Sequence, residues 1–229
     1  MFVSIANRAR PSVAELGPAK AALIAAGIEE FAERGIEGAR VRQIAARSGQ
    51  NIAAISYHFG GKEGLYHAIA DRLTLHLGAK LQPNWEEADA LLADPGAAVA
   101  ACADSIRSIL FAFIDTLVAT EQTRSATLIM LREQQNPSPV FELMFSRVIG
   151  PMHERITHLL AHVWSQPIND LLIARAHAIV GQVLVFRAAR ATILRRTGWS
   201  SIGPQEIVTV RAALQANLHA LLSPPPASS

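Results

Sequence analysis

The 229 residues contain a single cysteine, Cys102. An intramolecular disulfide is thereby excluded, and a reducing compartment, the cytoplasm, is expected. Charge is also scarce: 17% of residues are Asp, Glu, Lys or Arg, and the net charge is +2. With 50% hydrophobic residues the chain can bury a substantial core, which excludes wholesale disorder. Apolar runs are interrupted by polar or charged residues well before the roughly 18 residues that a bilayer crossing needs, so no membrane partner is expected. The N-terminal segment has Arg8, Arg10 and Pro11 in place of the apolar stretch of a signal peptide. Hairpin turns of the Asn-Gly type are missing, as are internal repeats. No G-x-S-x-G elbow, phosphate-binding glycine loop or H-E-x-x-H is present, so enzyme chemistry and a cofactor are not expected. His158 and His162 share a helix face, with His153 and Glu154 nearby. No cysteine or acidic pair completes a tetrahedral set, so no metal is expected.

What is present reads as helix throughout. Val and Ile fall into 3.6-residue patterns with Ala, Leu, Glu and Arg. A first helix is expected from Pro18 to Arg34, with Leu23, Ile24, Ile28 and Phe31 as its apolar stripe and Gly35 as its stop. Two short helices follow, Val41 to Ser48 and Ile52 to His58, separated by Gly49 and by Asn51, a good N-cap. A fourth runs from Lys62 to Leu81, ending before Pro83. Longer helices are expected at 96–119, 121–134, 138–164, 169–197 and 204–222, punctuated by prolines and Gly203. The expected organisation is an N-terminal tail (1–17), a small domain (18–81), a larger helical domain (82–223) and a C-terminal tail (224–229).

Charge is unevenly distributed. Residues 34–62 hold Arg34, Arg40, Arg42, Arg47 and Lys62 against Glu37 alone, whereas residues 81–229 hold 11 Arg against 12 Asp and Glu. A basic window of this kind is what a phosphate backbone attracts. It coincides with VRQIAARSGQNIAAISYHF, Val41 to Phe59, two short helices around a glycine turn, which is the helix-turn-helix pattern. Ile44 and Ala45 are placed to pack against Ile55, Ala45 being small enough for close approach. Gly49 permits the positive φ of a tight turn. Ile52, Ala53, Ser56 and Tyr57 then face outward, toward a major groove.

From Ala19 to Leu77 the sequence resembles the TetR family of bacterial regulators: Phe31 then Gly35, IAARSG, and YHFGGKEGLYHAI, of which Tyr57-His58-Phe59 followed by Lys62-Glu63 and Leu65 is the most specific part. The resemblance implies an all-α protein with a three-helix DNA-binding domain and a C-terminal helical domain for ligand binding and dimerisation. Its partners would be double-stranded operator DNA, a second copy of the chain, and a small hydrophobic or amphipathic effector. It implies that Arg42 and Gln43 open the helix that crosses the backbone, and that Asn51, Ile52, Ala53, Ala54 and Ser56 lie on the reading helix. Tyr57, His58 and Lys62 would meet phosphates. Phe59 would be core. Three positions depart from the common pattern: Arg40 stands where Ser or Thr caps the first short helix, Ser56 where a tyrosine is frequent, and Ile52 where a lysine is frequent. The operator read by other members therefore does not transfer.

REQQNPSP (Arg132 to Pro139) and GQVLVFRAARATILRRTGW (Gly181 to Trp199) resemble the CecR-like subgroup, associated with control of efflux and antibiotic-sensitivity genes. Phe111, Met130, Phe145 and Phe186 are candidates to line an apolar effector cavity. Ala176, Ile179, Val180, Val183 and Leu184, with Ile207, Val210, Leu214 and Leu218, fall at helical spacing and are candidates for a four-helix dimer seam.

Overall fold

The computed structural model describes residues 17–118 and 123–222, so the expected terminal tails lie, but for Gly17, outside the described residues. Every regular element among them is helical. The chain divides into two compact units, Met1–Arg72 and Leu73–Ser229.

The first unit begins with α1, Pro18–Gly38, in which Gly35 at φ 68° and ψ 174° breaks the helical geometry without ending the segment. Then come α2, Val41–Ser48, and α3, Ile52–Phe59, and the start of α4, Lys62–Ala93. Helices of eight residues are unstable in water unless packing holds them. Here Leu23, Ile24, Phe31, Ile44, Ala45, Ile55, Leu65, Tyr66 and Ile69 are all removed from solvent. Phe31 and Tyr66 meet edge to face, ring centroids 4.8 Å apart. Gly27 lies where α1 and α4 cross: a Cβ there would come within 2.7 Å of Ile69 Cδ1.

The turn between α2 and α3 is built as the glycine spacing predicts. Gly49 adopts φ 67°, its N–H donates to Ala46 O at 3.3 Å, and Gln50 N–H donates to Ala45 O at 3.0 Å, the paired bonds of a Schellman stop. Asn51 Oδ1 then accepts from Ala54 N–H at 2.8 Å and starts α3.

The second unit contains the rest of α4, α5 (Val99–Leu117), α6 (Arg124–Gln135), α7 (Pro139–Met144), a π-helical turn at Phe145–Ile149, α8 (Gly150–Trp164), α9 (Asp170–Ala188), α10 (Arg190–Thr197) and α11 (Pro204–Leu222). Its core draws on Leu81 and Trp85 of α4, Ile106, Ile109 and Phe113 of α5, Ile156 and Leu160 of α8, Val180 of α9 and Leu214 of α11.

Three expected helix limits are corrected. α4 does not stop before Pro83 but runs to Ala93 with the proline inside it. An interior proline costs about 3 kcal/mol of lost hydrogen bond and ring clash. The cost is offset because Leu77, Leu81, Trp85 and Ala88 continue one buried stripe across it. Asn84 Nδ2 also donates to Ser108 Oγ at 2.7 Å, and Arg155 lies over the Trp85 ring at 5.0 Å while pairing with Asp89 at 2.7 Å. The helix expected over 138–164 shifts register at its middle. Pro151 has no N–H to give, and Gly150 N–H reaches back five residues to Phe145 O. The helix expected over 169–197 breaks at Ala189, at φ −108° and ψ 31°, with no proline or glycine to announce it.

The REQQNPSP motif has a structural use. Glu133 is buried, and its Oε2 accepts from Ser138 N–H at 3.0 Å and from Ser138 Oγ at 2.9 Å, while Ser138 Oγ caps Val140 N–H at 3.2 Å to start α7.

Among the described residues one helix, α9, is long and apolar enough to cross a bilayer by length and composition, although Asp170, Arg175 and Arg187 interrupt its apolar runs. Leu172, Ala176, Ile179, Val180 and Val183 place one face of it in the core of the second unit.

A cap held by a left-handed glycine gives a direct expectation. A Cβ at Gly49 meets nothing within 4 Å, so Gly49→Ala is penalised only through its φ. It should lower stability by about 1–2 kcal/mol in urea unfolding; an unchanged midpoint would show that the turn relaxes.

Candidate nucleic-acid interface

The sequence-predicted reader residues lie on α2, α3 and the first turn of α4. Arg42, Gln43, Asn51, Ile52, Ala53, Ser56 and Tyr57 are exposed, and Ala54, His58 and Lys62 are half-buried. Ile55 is buried, so α3 has one face in the core and the opposite face in water. That outer face is unusually apolar. Ile52 is 44% exposed and Tyr57 85% exposed. The Tyr57 ring is met only edge to face by His58, at 4.9 Å between centroids, and His58 in turn by Phe59 at 6.2 Å. Phe59 is half-buried.

Two side chains carry tasks beyond the expected one. Asn51 Oδ1 accepts the cap bond of α3, and its amide N–H groups are free of that bond and can donate outward. Lys62 Nζ lies 3.5 Å from Glu37 O at the end of α1, a long and weak contact that holds the ammonium over the start of α4.

Basic residues in this unit fall into two groups. Arg34 pairs with Glu30 at 3.2 Å, and Arg47 pairs with Glu33 at 3.2 Å and with Glu30 at 3.7 Å. Among the described residues, Arg40 and Arg42 form no ion pair. The basic window from 34 to 62 is therefore partly neutralised by two carboxylates just upstream of it.

Glu30 is the residue that sequence reading missed. It is fully buried, and its Oε1 accepts from the backbone N–H of Arg40 at 3.1 Å. A carboxylate from α1 thus takes the N–H of the residue at the entry to α2, where no side chain caps the helix. A signal was available: Glu30 lies in the same helical stripe as Leu23, Gly27 and Phe31, where an unpaired charge cannot stay.

The expected effector and dimer residues fare differently. A groove of about 390 Å³ is lined by Trp164 and Gln166, by Arg175, Ala178, Ile179 and Gln182 of α9, and by Ala220 and Leu221 of α11. None of Phe111, Met130, Phe145 or Phe186 lines it. Phe111 lies beneath the Arg211 guanidinium at 5.3 Å, Met130 and Phe186 pack partly buried against the core, and Phe145 is exposed. The residues expected at a dimer seam, Ala176, Ile179, Val180 and Val183 of α9 with Ile207, Val210, Leu214 and Leu218 of α11, are buried inside the subunit, and Leu184 packs partly buried against the same core. One apolar stripe per helix suffices for the subunit's own core, and these stripes are taken up by it. The outward faces carry Val208, Ala212, Ala216 and Ala220 on α11, and Ile173, Ala174, Ala178 and Val185 on α9.

The histidines have separate engagements. His162 Nε2 hydrogen-bonds with Ala97 O at 2.8 Å, His153 stacks on His177 at 5.2 Å, and His158 is exposed. Burial, and then the neighbouring His177, hold the His153 pKa below its usual value of 6.5.

A helix-turn-helix with an apolar, solvent-facing reading helix, followed by a long-helix unit, defines a class. Residues 23–69 match the family described as bacterial regulatory proteins, tetR family, and residues 102–223 match the C-terminal domain of the HTH-type transcriptional dual regulator CecR. The chain belongs to the TetR family of bacterial transcription regulators. It is similar to the dual regulator CecR of Shigella flexneri, with 36% identity over 205 residues, covering 89% of this chain and 91% of that protein. The fold is also that of HlyIIR, a hemolysin II transcriptional regulator (TM-score 0.58, 17% identity, covering 90% of this chain and 98% of that one). PfmR of Thermus thermophilus shares it as well (TM-score 0.58, 16% identity, covering 90% and 96%).

Contact type separates two substitutions. Lys62→Ala should weaken binding to every duplex and shallow the slope of log affinity against log salt by about 0.9 for each phosphate no longer neutralised. Ser56→Ala should change which sequences are preferred and leave that slope unaltered. Titrations at several salt concentrations read both; a Lys62→Ala slope equal to that of the parent would remove the phosphate assignment.

Proposed function

We propose that the protein is a homodimeric, ligand-responsive repressor that reads a palindromic operator with α3. The observation that carries this reading is the solvent-facing side of α3, where Ile52 and Tyr57 lie open on an eight-residue helix that Ile55 pins from behind. Burying such apolar side chains against DNA recovers what their exposure forgoes. Arg42, Gln43, Asn51, Ala53, Ala54 and Ser56 contribute positioning and base contacts, and Tyr57, His58 and Lys62 reach phosphates. Two copies of α3 about one helical turn apart match a two-fold operator. A regulator that reads operator DNA works in the cytoplasm.

The seam is assigned to the outward faces of α9 and α11. Val208, Ala212, Ala216 and Ala220 recur at four-residue spacing, with Ala174 and Ala178 alongside on α9, all exposed. Small residues in line allow close helix approach, and the exposed apolar side of α9 is covered when two subunits meet. An effector of small amphipathic type is proposed to bind among the long helices. The groove beside Trp164 and Arg175 has the size such a ligand requires; Ala178 and Ala220 line it, so it opens on the proposed seam and the second subunit would close over it. The candidates Phe111, Met130, Phe145 and Phe186 do not line this groove. Genes of efflux or toxic-compound response are the proposed targets, by likeness to the CecR subgroup. Because the CecR relative is a dual regulator, activation at some promoters is a second reading.

The reading is tested by titrating the protein with DNA from upstream of its own coding sequence and with selected random duplexes, in the presence of nonspecific competitor. A saturable, palindrome-dependent complex of two subunits is expected; failure with both DNA sources would overturn it. Replacing Ala212 and Ala178 with Glu should give monomers by light scattering and lower operator affinity by about a hundredfold, since two linked half-site contacts become one. A variant that stays dimeric would place the seam elsewhere.

A further inference from the structure

One buried carboxylate of α1 faces both ends of α2, through a hydrogen bond at the entry and a longer charge contact at the exit, where its Oε2 has no hydrogen-bond partner among the described residues. Glu30 is fully enclosed. At the entry to α2 its Oε1 takes the Arg40 N–H at 3.1 Å, and at the exit its Oε2 faces Arg47 Nη1 at 3.7 Å. Arg34, one turn along α1, adds its Nε to the same Oε1 at 3.2 Å. Glu33 holds the other end of the Arg47 guanidinium, at 3.2 and 3.4 Å. α2 is eight residues long, about 12 Å, so Arg40 and Arg47 bracket it entirely. α2 carries Arg42 and Gln43 and supports α3 through Ile44 and Ala45. Whatever sets the placement of α2 sets the placement of the reading face.

A buried anion in such a place has a second effect. Arg34 and Arg47 are cations in the basic window, with side chains 46% and 39% exposed. Left unpaired, each would be a mobile cation able to meet any phosphate. Arg34 is paired to the enclosed carboxylate, while Arg47 is hydrogen-bonded to the exposed Glu33 with Glu30 Oε2 3.7 Å behind it, so both guanidinium groups are engaged within the reader and the interior anion keeps them there. Nonselective attraction to DNA is thereby lowered while the geometry for selective reading is fixed.

We propose that Glu30 is the positioning residue of the DNA reader. It fixes α2, and through it α3, and it withholds Arg34 and Arg47 from phosphates, so that its charge is required for selective but not for nonselective DNA binding. The inference rests on the DNA-reading function proposed above.

The full-length dimer, Glu30→Gln and Arg47→Gln are compared on a selected operator and on an unrelated duplex at several salt concentrations, with circular-dichroism melts confirming that each is folded. Glutamine preserves an acceptor for Arg40 N–H but removes the charge. For Glu30→Gln the ratio of operator to nonselective affinity should fall about tenfold or more, and the salt slope on the unrelated duplex should steepen by about 0.9 for each arginine released to a phosphate. A folded Glu30→Gln protein whose ratio and slope match the parent would reduce Glu30 to a stability residue and overturn the proposal. Arg47→Gln tests the second half independently, including the case in which Glu30→Gln does not fold. Its slope on the unrelated duplex should equal that of the parent, because Arg47 is not a phosphate ligand. A shallower slope would overturn the proposal. If the parent itself selects no DNA, the reader assignment fails before any variant is compared.

Discussion

Helices of eight residues do not persist in water by themselves, and α2 and α3 are both of that length. They exist because Ile44, Ala45 and Ile55 are withdrawn from solvent, and this one burial dictates the rest of the reader. With Ile55 turned inward, Ile52, Ala53, Ser56 and Tyr57 have no option but to face out. The tight spacing needs a left-handed residue at 49 and a capping side chain at 51, and both are supplied. Electrostatics is added on top of this packing: a carboxylate from α1 accepts the N–H of Arg40 at the entry to α2.

The second unit solves a different problem. Its helices are long enough to have two distinct faces, and those of α9 and α11 differ in character. One carries Ile, Val and Leu into the core. The other carries alanines with a few exposed branched residues. This exposed apolar face is the one to which the proposed seam is assigned.

The reader was largely legible in the sequence because its signals are local. A glycine at 49, an asparagine at 51 and alternating apolar positions each report on backbone within a few residues of themselves. α2 begins and ends at the expected residues, and α3 differs by one. Glu30 was not legible in the same way, since its partners at 40 and 47 are distant in sequence and a glutamate on a helix ordinarily reads as surface. Pro83 misled for a related reason: the proline rule is local, while Trp85, Asn84 and Asp89 are held by residues on α5 and α8. Helical periodicity likewise reveals that a face is buried without revealing what buries it. The family resemblance was specific where the motif is short and rigid. It could not locate a cavity, because the long helices admit many packings of the same residues.

The ion pairs of the first unit bear on how such a protein spends its time in a cell. A regulator must find one site among millions of decoys, and its dwell time on each decoy grows steeply with the number of phosphates it touches. On the proposed role of Glu30, the pairing of Arg34 and Arg47 with Glu30 and Glu33 removes two cations from those available to an arbitrary stretch of chromosome. Stays on wrong sequences are shortened in consequence, so that the same ion pairs that shape the reader also set the pace of its search.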